Sequence, residues 1–303
     1  MSDLNRRDFV LNGTIAMAAV SALGSATSAS AFPSRTGDIV IPWLDQPTSL
    51  DDPTVRNQLV WEDLDSWITP NEKFFSVNHF NEPVIDPATW RLDVDGLVRR
   101  PLSLSLDDIK SMTRVEMTFT LEGAGNHGFP GYTGGIGTAR WIGTPLDKIL
   151  DEADTTAEGI EIVFWGADQG EIALQDNARD VTMTQHFARS MSLADARDNS
   201  NMLAYDMNGE PLSVAHGAPL RFLATERYGV ASVKWLKRIE VRDRRMMNQF
   251  MARDYVTIRE EEHGGETYWT ETSVGRVRLK SAPAKVTRNG EGYRIIGAAW
   301  VPT

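Results

Sequence analysis

The sequence predicts an α+β fold in which short strands and helices are mixed along the chain. Three apolar runs bounded by turn residues have the length and composition of strands. These runs are Trp90–Gly96, Ile160–Gly166 and Ser232–Val241. Two short helices are predicted, one capped by Ser105 and one opened by Thr144 and Pro145. Because strands and helices do not alternate regularly, the pattern argues against a doubly wound parallel sheet.

The 303 residues divide into four predicted segments. Residues 1–31 form a targeting segment, residues 32–60 an extended lead-in, residues 61–241 the main domain, and residues 242–303 a C-terminal module. About 270 residues remain without the targeting segment, which is enough to bury a core in one large domain or two small ones.

The N-terminal segment has the three parts of a twin-arginine export signal. Arg6 and Arg7 precede the apolar core Ile15–Val20, and Ala29–Ala31 provides a small-x-small cleavage site. The apolar part is too short to span a bilayer of about 30 Å. The pattern therefore predicts export to the periplasm by the twin-arginine route, with an amphipathic N-terminal helix as the alternative.

The composition excludes some partners and one kind of stabilisation. The chain contains no cysteine and has a formal net charge of −11. No disulfide can form, so packing alone must stabilise the fold. An acidic chain without a basic stripe argues against nucleic acid and anionic membrane surfaces as partners.

Several common motifs are missing from the sequence. There is no Gly-x-x-x-x-Gly-Lys-Ser/Thr loop, and Gly131–Gly137 does not lie between a strand and a helix as a dinucleotide-binding loop would. The five histidines are scattered without metal-ligand spacing, which argues against zinc. An exported hydrolase with a Ser-His-Asp site stays open as an alternative, although no Gly-x-Ser-x-Gly elbow occurs.

Six segments resemble the sulfite oxidase family in order and spacing. They are Phe74–Phe80, Leu121–Gly128, Gly137–Leu146, Ala204–Leu212, His216–Arg221 and Tyr228–Leu236. The resemblance implies a mixed sulfite oxidase-type molybdopterin-binding domain over residues 61–241. It also implies a molybdopterin cofactor with molybdenum and an oxidoreductase that transfers an oxygen atom to or from a small substrate. Electrons would pass onward singly, for example to a cytochrome-type acceptor.

The resemblance assigns nine residues to the cofactor and none to catalysis. They are Phe75, Asn78, His79, Asp168, His216, Arg221, Ser232, Val233 and Lys234. The guanidinium of Arg221 can bind the terminal phosphate of the pterin in a bidentate manner, helped by Lys234 and nearby backbone amides. Asn78 and His79 would hydrogen-bond the cofactor from the opposite side.

The sequence departs from the family at the metal site. Gly123 stands where the family has a cysteine whose thiolate binds the metal, so no metal ligand is assigned. Val77 stands in place of an arginine, His127–Gly128 replaces a basic pair, and Phe187 replaces a tyrosine. Because a tetrahedral dianion needs converging positive charge, these changes argue against sulfite as the substrate. The alternative function is a non-catalytic cofactor-binding or partner subunit.

Residues 242–303 resemble the start of the family's immunoglobulin-like dimerisation domain. Such a sandwich needs about 100 residues and seven strands, so the module is predicted to be an incomplete β-sandwich. Its predicted opening strands are Arg276–Leu279 and Tyr293–Trp300. A truncated domain is favoured over a naturally short one, because an unfinished sheet leaves apolar edges unpaired. A homodimer is expected if the domain is complete.

Overall fold

The computed structural model describes residues 37–44, 49–176, 179–290 and 292–300. The targeting segment predicted over residues 1–31 lies outside these residues. Strands make up most of the regular structure, and the helices are short. Within the described ranges, no helix has the length and apolarity needed to cross a membrane.

The elements are numbered in chain order over the described residues. The strands are β1 (Ile39–Ile41), β2 (Val55–Arg56), β3 (Ser76–Val77), β4 (Leu92–Gly96), β5 (Leu102–Leu104), β6 (Val115–Glu122), β7 (Ile136–Pro145), β8 (Glu161–Asp176), β9 (Arg179–Ser192), β10 (Met202–Met207), β11 (Glu210–Pro211), β12 (Arg221–Leu223), β13 (Leu236–Arg242), β14 (Val256–His263), β15 (Glu266–Ser273), β16 (Lys280–Asn289) and β17 (Gly292–Trp300). The helices are α1 (Leu106–Ser111), α2 (Leu146–Ala153), α3 (Leu193–Ala196) and α4 (Gln249–Ala252).

The first large sheet has the strand order β5-β4-β13-β8-β9 and is mixed. β13 runs parallel to β4, whereas the other neighbours are antiparallel. The pairing of β8 with β9 shifts register between Trp165 and Gln169. Such a bulge bends a strand and redirects its side chains, and it is where Asp168 lies.

The second large sheet has the order β11-β10-β7-β6, with β12 also pairing with β10. The two sheets share one core. Phe164 of β8 stacks on Phe222 of β12 with ring centroids 3.7 Å apart, and Leu92, Ile149 and Leu203 belong to the same buried cluster. Burial of these side chains is the main source of stability, at roughly 1.5–3 kcal/mol each. This packing fixes the positions of the sheet edges and of the loops that leave them.

A smaller sheet of order β1-β16-β17 brings the C-terminal residues back to the main domain. Trp300, at the end of β17, stacks on Trp61 with centroids 6.0 Å apart, and both belong to a small buried cluster with Ile136. β14 and β15 form a separate two-stranded hairpin. The observed structure, rich in strands with few helices, is compatible with the predicted α+β class.

The prediction for α1 agrees with the structure, whereas the predicted cap of α2 is wrong. Ser105 caps α1, and its side chain accepts a hydrogen bond from the Asp108 amide in a capping box. Thr144 instead lies in β7, where its hydroxyl donates to the Ile109 carbonyl at 3.0 Å. α2 begins after Pro145, which makes no side-chain cap bond.

Two predicted strands also need correction. β13 begins at Leu236, because the preceding Trp235 has a φ of 49° and interrupts extended backbone before it. Arg276–Leu279 is not a strand among the described residues. Arg276 makes only an isolated bridge with Arg227, and its guanidinium contacts Glu226 at 2.7 Å. This segment is held by the main domain rather than by a partner strand.

Candidate functional site

A cavity of about 320 Å³ is lined by both large sheets, the loop after β6 and residues 50–55. This volume is in the range of small-molecule sites. Eight of the nine residues assigned from the sequence line it: Phe75, Asn78, His79, Asp168, His216, Arg221, Ser232 and Lys234. Val233 is the exception, because its side chain is fully buried in the core and its carbonyl accepts the Phe222 amide at 2.8 Å.

Arg221 opens β12 and carries a buried guanidinium. Its Nη1 donates to the His216 carbonyl at 3.1 Å and its Nη2 to the Ser232 carbonyl at 3.5 Å, while the group lies 5.1 Å from the Trp141 ring centroid. Nε has no hydrogen-bond partner among the described residues. Burial lowers the pKa of Arg221, but a guanidinium stays charged at neutral pH. Its unused donor makes it suited to an anionic ligand.

Lys234 provides a second buried cation. Its ammonium donates to Asn78 Oδ1 and to the Ala215 carbonyl, the latter at 3.2 Å, and lies 4.4 Å from the Trp235 ring centroid. Asn78 is positioned after β3 by its own amide, which donates to the Thr54 carbonyl at 2.9 Å. Burial, reinforced by the charge of Arg221, lowers the pKa of Lys234 to about 7. The charge state of this side chain is therefore sensitive to a ligand.

Asp168 faces the cavity from the bulge in β8. Its side chain is 4% exposed, and Oδ1 has no hydrogen-bond partner among the described residues. Burial raises the pKa of Asp168 to about 6, although the charges of Lys234 and Lys237 oppose this shift. A buried carboxylate with a free oxygen is an acceptor for N–H groups of a ligand.

His79 is enclosed by aromatic rings. It stacks on Phe187 with centroids 4.7 Å apart, and its Nε2 lies 2.7 Å from the Tyr255 hydroxyl. Burial, with the charges of Lys234 and Arg189, lowers the pKa of His79 to about 4. The imidazole is therefore neutral at pH 7.

The remaining predicted residues contribute shape and backbone order. His216 ends a 3-10 turn, and its Nε2 lies 2.9 Å from the Asn71 carbonyl. The Ser232 hydroxyl accepts the Ala224 amide at 3.1 Å, so it is already used by the protein. Phe75 stacks on Phe74 with centroids 5.5 Å apart and gives the cavity an apolar wall.

Gly123 also lines the cavity, one residue after β6. Its amide donates to the Gly135 carbonyl at 2.8 Å, across the loop that joins β6 to β7. Val77 and Phe187, two other departures from the family, line the same cavity. In the described part of the chain, no group of three or more His, Cys, Asp or Glu side chains is placed to hold a metal ion.

Two lining tyrosines with polar groups were missed at the level of sequence. Tyr132 lies in the glycine-rich stretch rejected as a dinucleotide loop, and its hydroxyl is buried beside Gly123. Tyr255 contacts His79 from beyond α4 and belongs to no motif. The position of Tyr132 between glycines was the only available sign, because glycines indicate a close approach of backbone to a bulky group.

Comparisons with known proteins agree with this geometry. Residues 79–250 match the family model described as oxidoreductase molybdopterin binding domain. The mitochondrial sulfite oxidase of Rattus norvegicus is 38% identical over 207 residues, which cover 63% of this chain and 36% of that protein. The mitochondrial sulfite oxidase of Homo sapiens is 38% identical over 210 residues, with the same coverage of 63% and 36%. This chain thus spans about a third of the length of these relatives.

One solved structure is similar in fold over a longer part of the chain than the family model matches. It is the crystal structure of the sulfane dehydrogenase SoxCD from Paracoccus pantotrophus, with a TM-score of 0.63. The match covers 87% of this chain and 65% of that chain at 23% sequence identity. At this identity the similarity concerns the fold alone.

Proposed function

This chain belongs to the family of oxidoreductase molybdopterin-binding domains, as its sequence predicted, and from this premise we propose that it is an exported oxygen-atom-transfer enzyme of the sulfite oxidase type. The observation that carries the proposal is that Arg221 and Asp168, which line one cavity of ligand size, each carry a buried polar atom without a partner among the described residues, Nε and Oδ1. Buried polar atoms without partners are rare in folded proteins, and a ligand in the cavity would give these two a partner.

The residues present suit the pterin part of the cofactor. Arg221, with its unused Nε, would hold the terminal phosphate, and Lys234 adds positive charge nearby. Asp168 Oδ1 would accept an N–H group of the pterin ring. Opposite charges at separate points of the cavity would fix one orientation of the ring system. When bound, the group supplies two-electron oxygen-atom chemistry.

The other lining residues would order this site and exclude water. Asn78 holds the Lys234 ammonium in place, and the neutral His79 is fixed by Tyr255 at 2.7 Å. Phe75 and Phe187 form apolar walls. A dry site strengthens every polar contact within it.

We propose that the substrate is less charged than sulfite. In the oxidising direction, the substrate gains the oxygen atom of one water molecule. Two protons are released, and two electrons pass singly to a cytochrome-type acceptor. Val77 and Phe187 line the cavity with apolar surface, so less positive charge is available for a tetrahedral dianion.

The cofactor content of the protein tests this function. The full chain, matured in a host that makes molybdopterin, is expected to contain about one molybdenum and one pterin per chain, measured by mass spectrometry of metals and by pterin fluorescence after denaturation. Activity is then sought with small oxides and their reduced partners, using cytochrome c as the acceptor. Absence of both pterin and molybdenum would exclude the proposal.

A non-catalytic cofactor-binding subunit is the second candidate, and Gly123 favours it. Glycine has no side chain to hold a metal, so the pterin contacts can persist where turnover does not. Stoichiometric pterin without turnover of any tested substrate would select this candidate. Turnover would reject it.

Export of the chain is part of the same proposal. Residues 1–31 would direct export to the periplasm, tested by fractionation of cells carrying the chain with Arg6 and Arg7 intact or changed to lysine.

The C-terminal strands β14 to β17 would contribute to an immunoglobulin-like sandwich, and a homodimer would form through it. Light scattering on the purified chain measures the mass and so tests the dimer.

A further inference from the structure

The space beside Gly123 is filled by the phenol of Tyr132. A Cβ atom on Gly123 would lie 2.1 Å from the Tyr132 hydroxyl oxygen and 3.1 Å from its Cζ. A Cβ atom on Gly135 would lie 2.1 Å from the same oxygen. Carbon atoms do not approach this closely without displacement, so the position of Tyr132 requires glycine on both sides.

The backbone holds Tyr132 in this position. Its amide donates to the Phe129 carbonyl at 3.1 Å, and its carbonyl accepts the His127 amide at 2.8 Å. The Gly123 amide donates to the Gly135 carbonyl at 2.8 Å and closes the two glycines around the phenol. These hydrogen bonds fix the backbone on both sides of the ring, and the ring itself is held by the packing around it, since Tyr132 is buried.

The Tyr132 hydroxyl has no hydrogen-bond partner among the described residues, although the residue is only 6% exposed. Leaving a buried hydroxyl unpaired costs about 1–3 kcal/mol. Burial, together with Tyr255 and Glu122, raises the pKa of Tyr132, so the group is a neutral phenol with a proton to donate. Tyr132 lines the same cavity as Arg221 and Asp168, which also carry unpartnered atoms.

We propose that the Tyr132 hydroxyl is the protein's polar contact to the metal end of the cofactor, donating a hydrogen bond at the place where the family has its cysteine. This inference rests on the proposed function. Gly123 and Tyr132 then depend on each other, because the phenol oxygen of Tyr132 fills the space that a side chain at position 123 would need. A thiolate introduced at position 123 has no room while the phenol oxygen remains.

A double-mutant cycle on the cofactor-free chain tests the complementarity. Gly123→Cys is expected to lower Tm by about 4–8 °C, because its side chain overlaps the phenol oxygen. Tyr132→Phe removes that oxygen and the unpaired hydroxyl, so Tm stays equal or rises. In the double variant, at least half of the loss from Gly123→Cys is expected to be recovered. Additive effects of the two substitutions would overturn the inference.

Cofactor release tests the role of the hydroxyl without any activity measurement. In the loaded protein, Tyr132→Phe is expected to release pterin about tenfold faster than the natural chain, followed by fluorescence of the filtrate. Tyr268→Phe is the matched control, because that hydroxyl bonds Glu266 at 2.6 Å on the β14–β15 hairpin. Equal release from all three proteins would overturn this inference alone. A natural chain that holds no pterin would overturn the proposed function and this inference with it.

Discussion

The ammonium of Lys280 donates a hydrogen bond to the buried carboxylate of Glu122 at 2.7 Å, across 158 positions of sequence. Glu122 is fully buried and also accepts from Trp300 Nε1 at 2.9 Å and Asn126 Nδ2 at 3.1 Å. Lys280 and Trp300 are register partners in β16 and β17. The C-terminal sheet therefore hydrogen-bonds to Glu122, the residue that precedes Gly123, and in this way supports the loop that borders the cavity.

Removing the Lys280 ammonium is expected to destabilise the protein. Burial opposes the charge of Lys280, but the hydrogen bond and charge of Glu122 outweigh it and raise the pKa of Lys280. Lys280→Met leaves the Glu122 carboxylate buried without its cation, at an expected cost of about 2–4 kcal/mol in the free energy of unfolding by urea.

Lys148→Met is the matched control for this experiment. Lys148 is exposed and contacts the half-buried Asp147 at 3.1 Å. An ion pair with an exposed lysine at the surface is worth about 0–1 kcal/mol, so this variant should retain nearly all of its stability. Equal losses in the two variants would contradict the supporting role of Glu122 and Lys280.

The stability of the cofactor-free chain should depend on pH through Asp168. Burial raises the pKa of this carboxyl from its ordinary value of 3.8 to about 6. Between these values the folded state keeps the proton that the unfolded state has lost, so Asp168 lowers stability as pH rises from about 4 to about 6. Because each pKa unit corresponds to about 1.4 kcal/mol, the full effect is about 3 kcal/mol.

Asp168→Asn isolates this effect. The stability of the variant minus that of the natural chain is expected to grow from pH 4 to pH 6 and to level off above it, measured by urea unfolding. His79, whose pKa is lowered to about 4, contributes with the opposite sign in both proteins and largely cancels in the difference. A difference that does not change with pH would contradict the shifted pKa.

Arg221 should make the cofactor-free chain responsive to phosphate groups. Pyrophosphate at about 100 times its dissociation constant is expected to stabilise the natural chain by about 2.7 kcal/mol, seen as a rise in Tm. Arg221→Met should lose this response, because the buried guanidinium with its unused Nε is gone. Arg99→Met should keep it, since Arg99 is an exposed residue paired with Asp154 at 2.8 Å. An unchanged response in Arg221→Met would place the phosphate contact elsewhere.

Gly143 in β7 should not tolerate a methyl group. A Cβ atom there would lie 2.1 Å from the Leu203 carbonyl oxygen and 2.8 Å from the Ala204 Cα of the neighbouring strand. Gly143→Ala is expected to cost about 2–3 kcal/mol of unfolding free energy, since it must separate two paired strands. Gly292→Ala meets only the Asn289 carbonyl oxygen at 3.7 Å and should be nearly neutral. Thermal unfolding of both variants decides the point, and similar midpoints would contradict the close packing of β7 and β10.

Local features of the fold were predictable because neighbouring residues cause them. Ser105 and Asp108, three residues apart, form the capping box that begins α1. That Thr144 lies in β7 and does not cap α2 was not predictable in the same way. Its hydroxyl bonds the Ile109 carbonyl of a distant helix, and this tertiary contact replaces the local one.

The sequence by itself determined the family, the α+β class and the residue types available to a cofactor, because ordered segments and spaced polar residues are properties of the chain. Only the tertiary structure decided which of these residues meet. It placed the Tyr132 phenol in the volume beside Gly123 and the Lys280 ammonium on Glu122. The loop at Gly123 is thus shaped by a tyrosine from later in the same loop and by a lysine from the C-terminal sheet. Contacts of that kind depend on packing in three dimensions, for which no local pattern of residues exists.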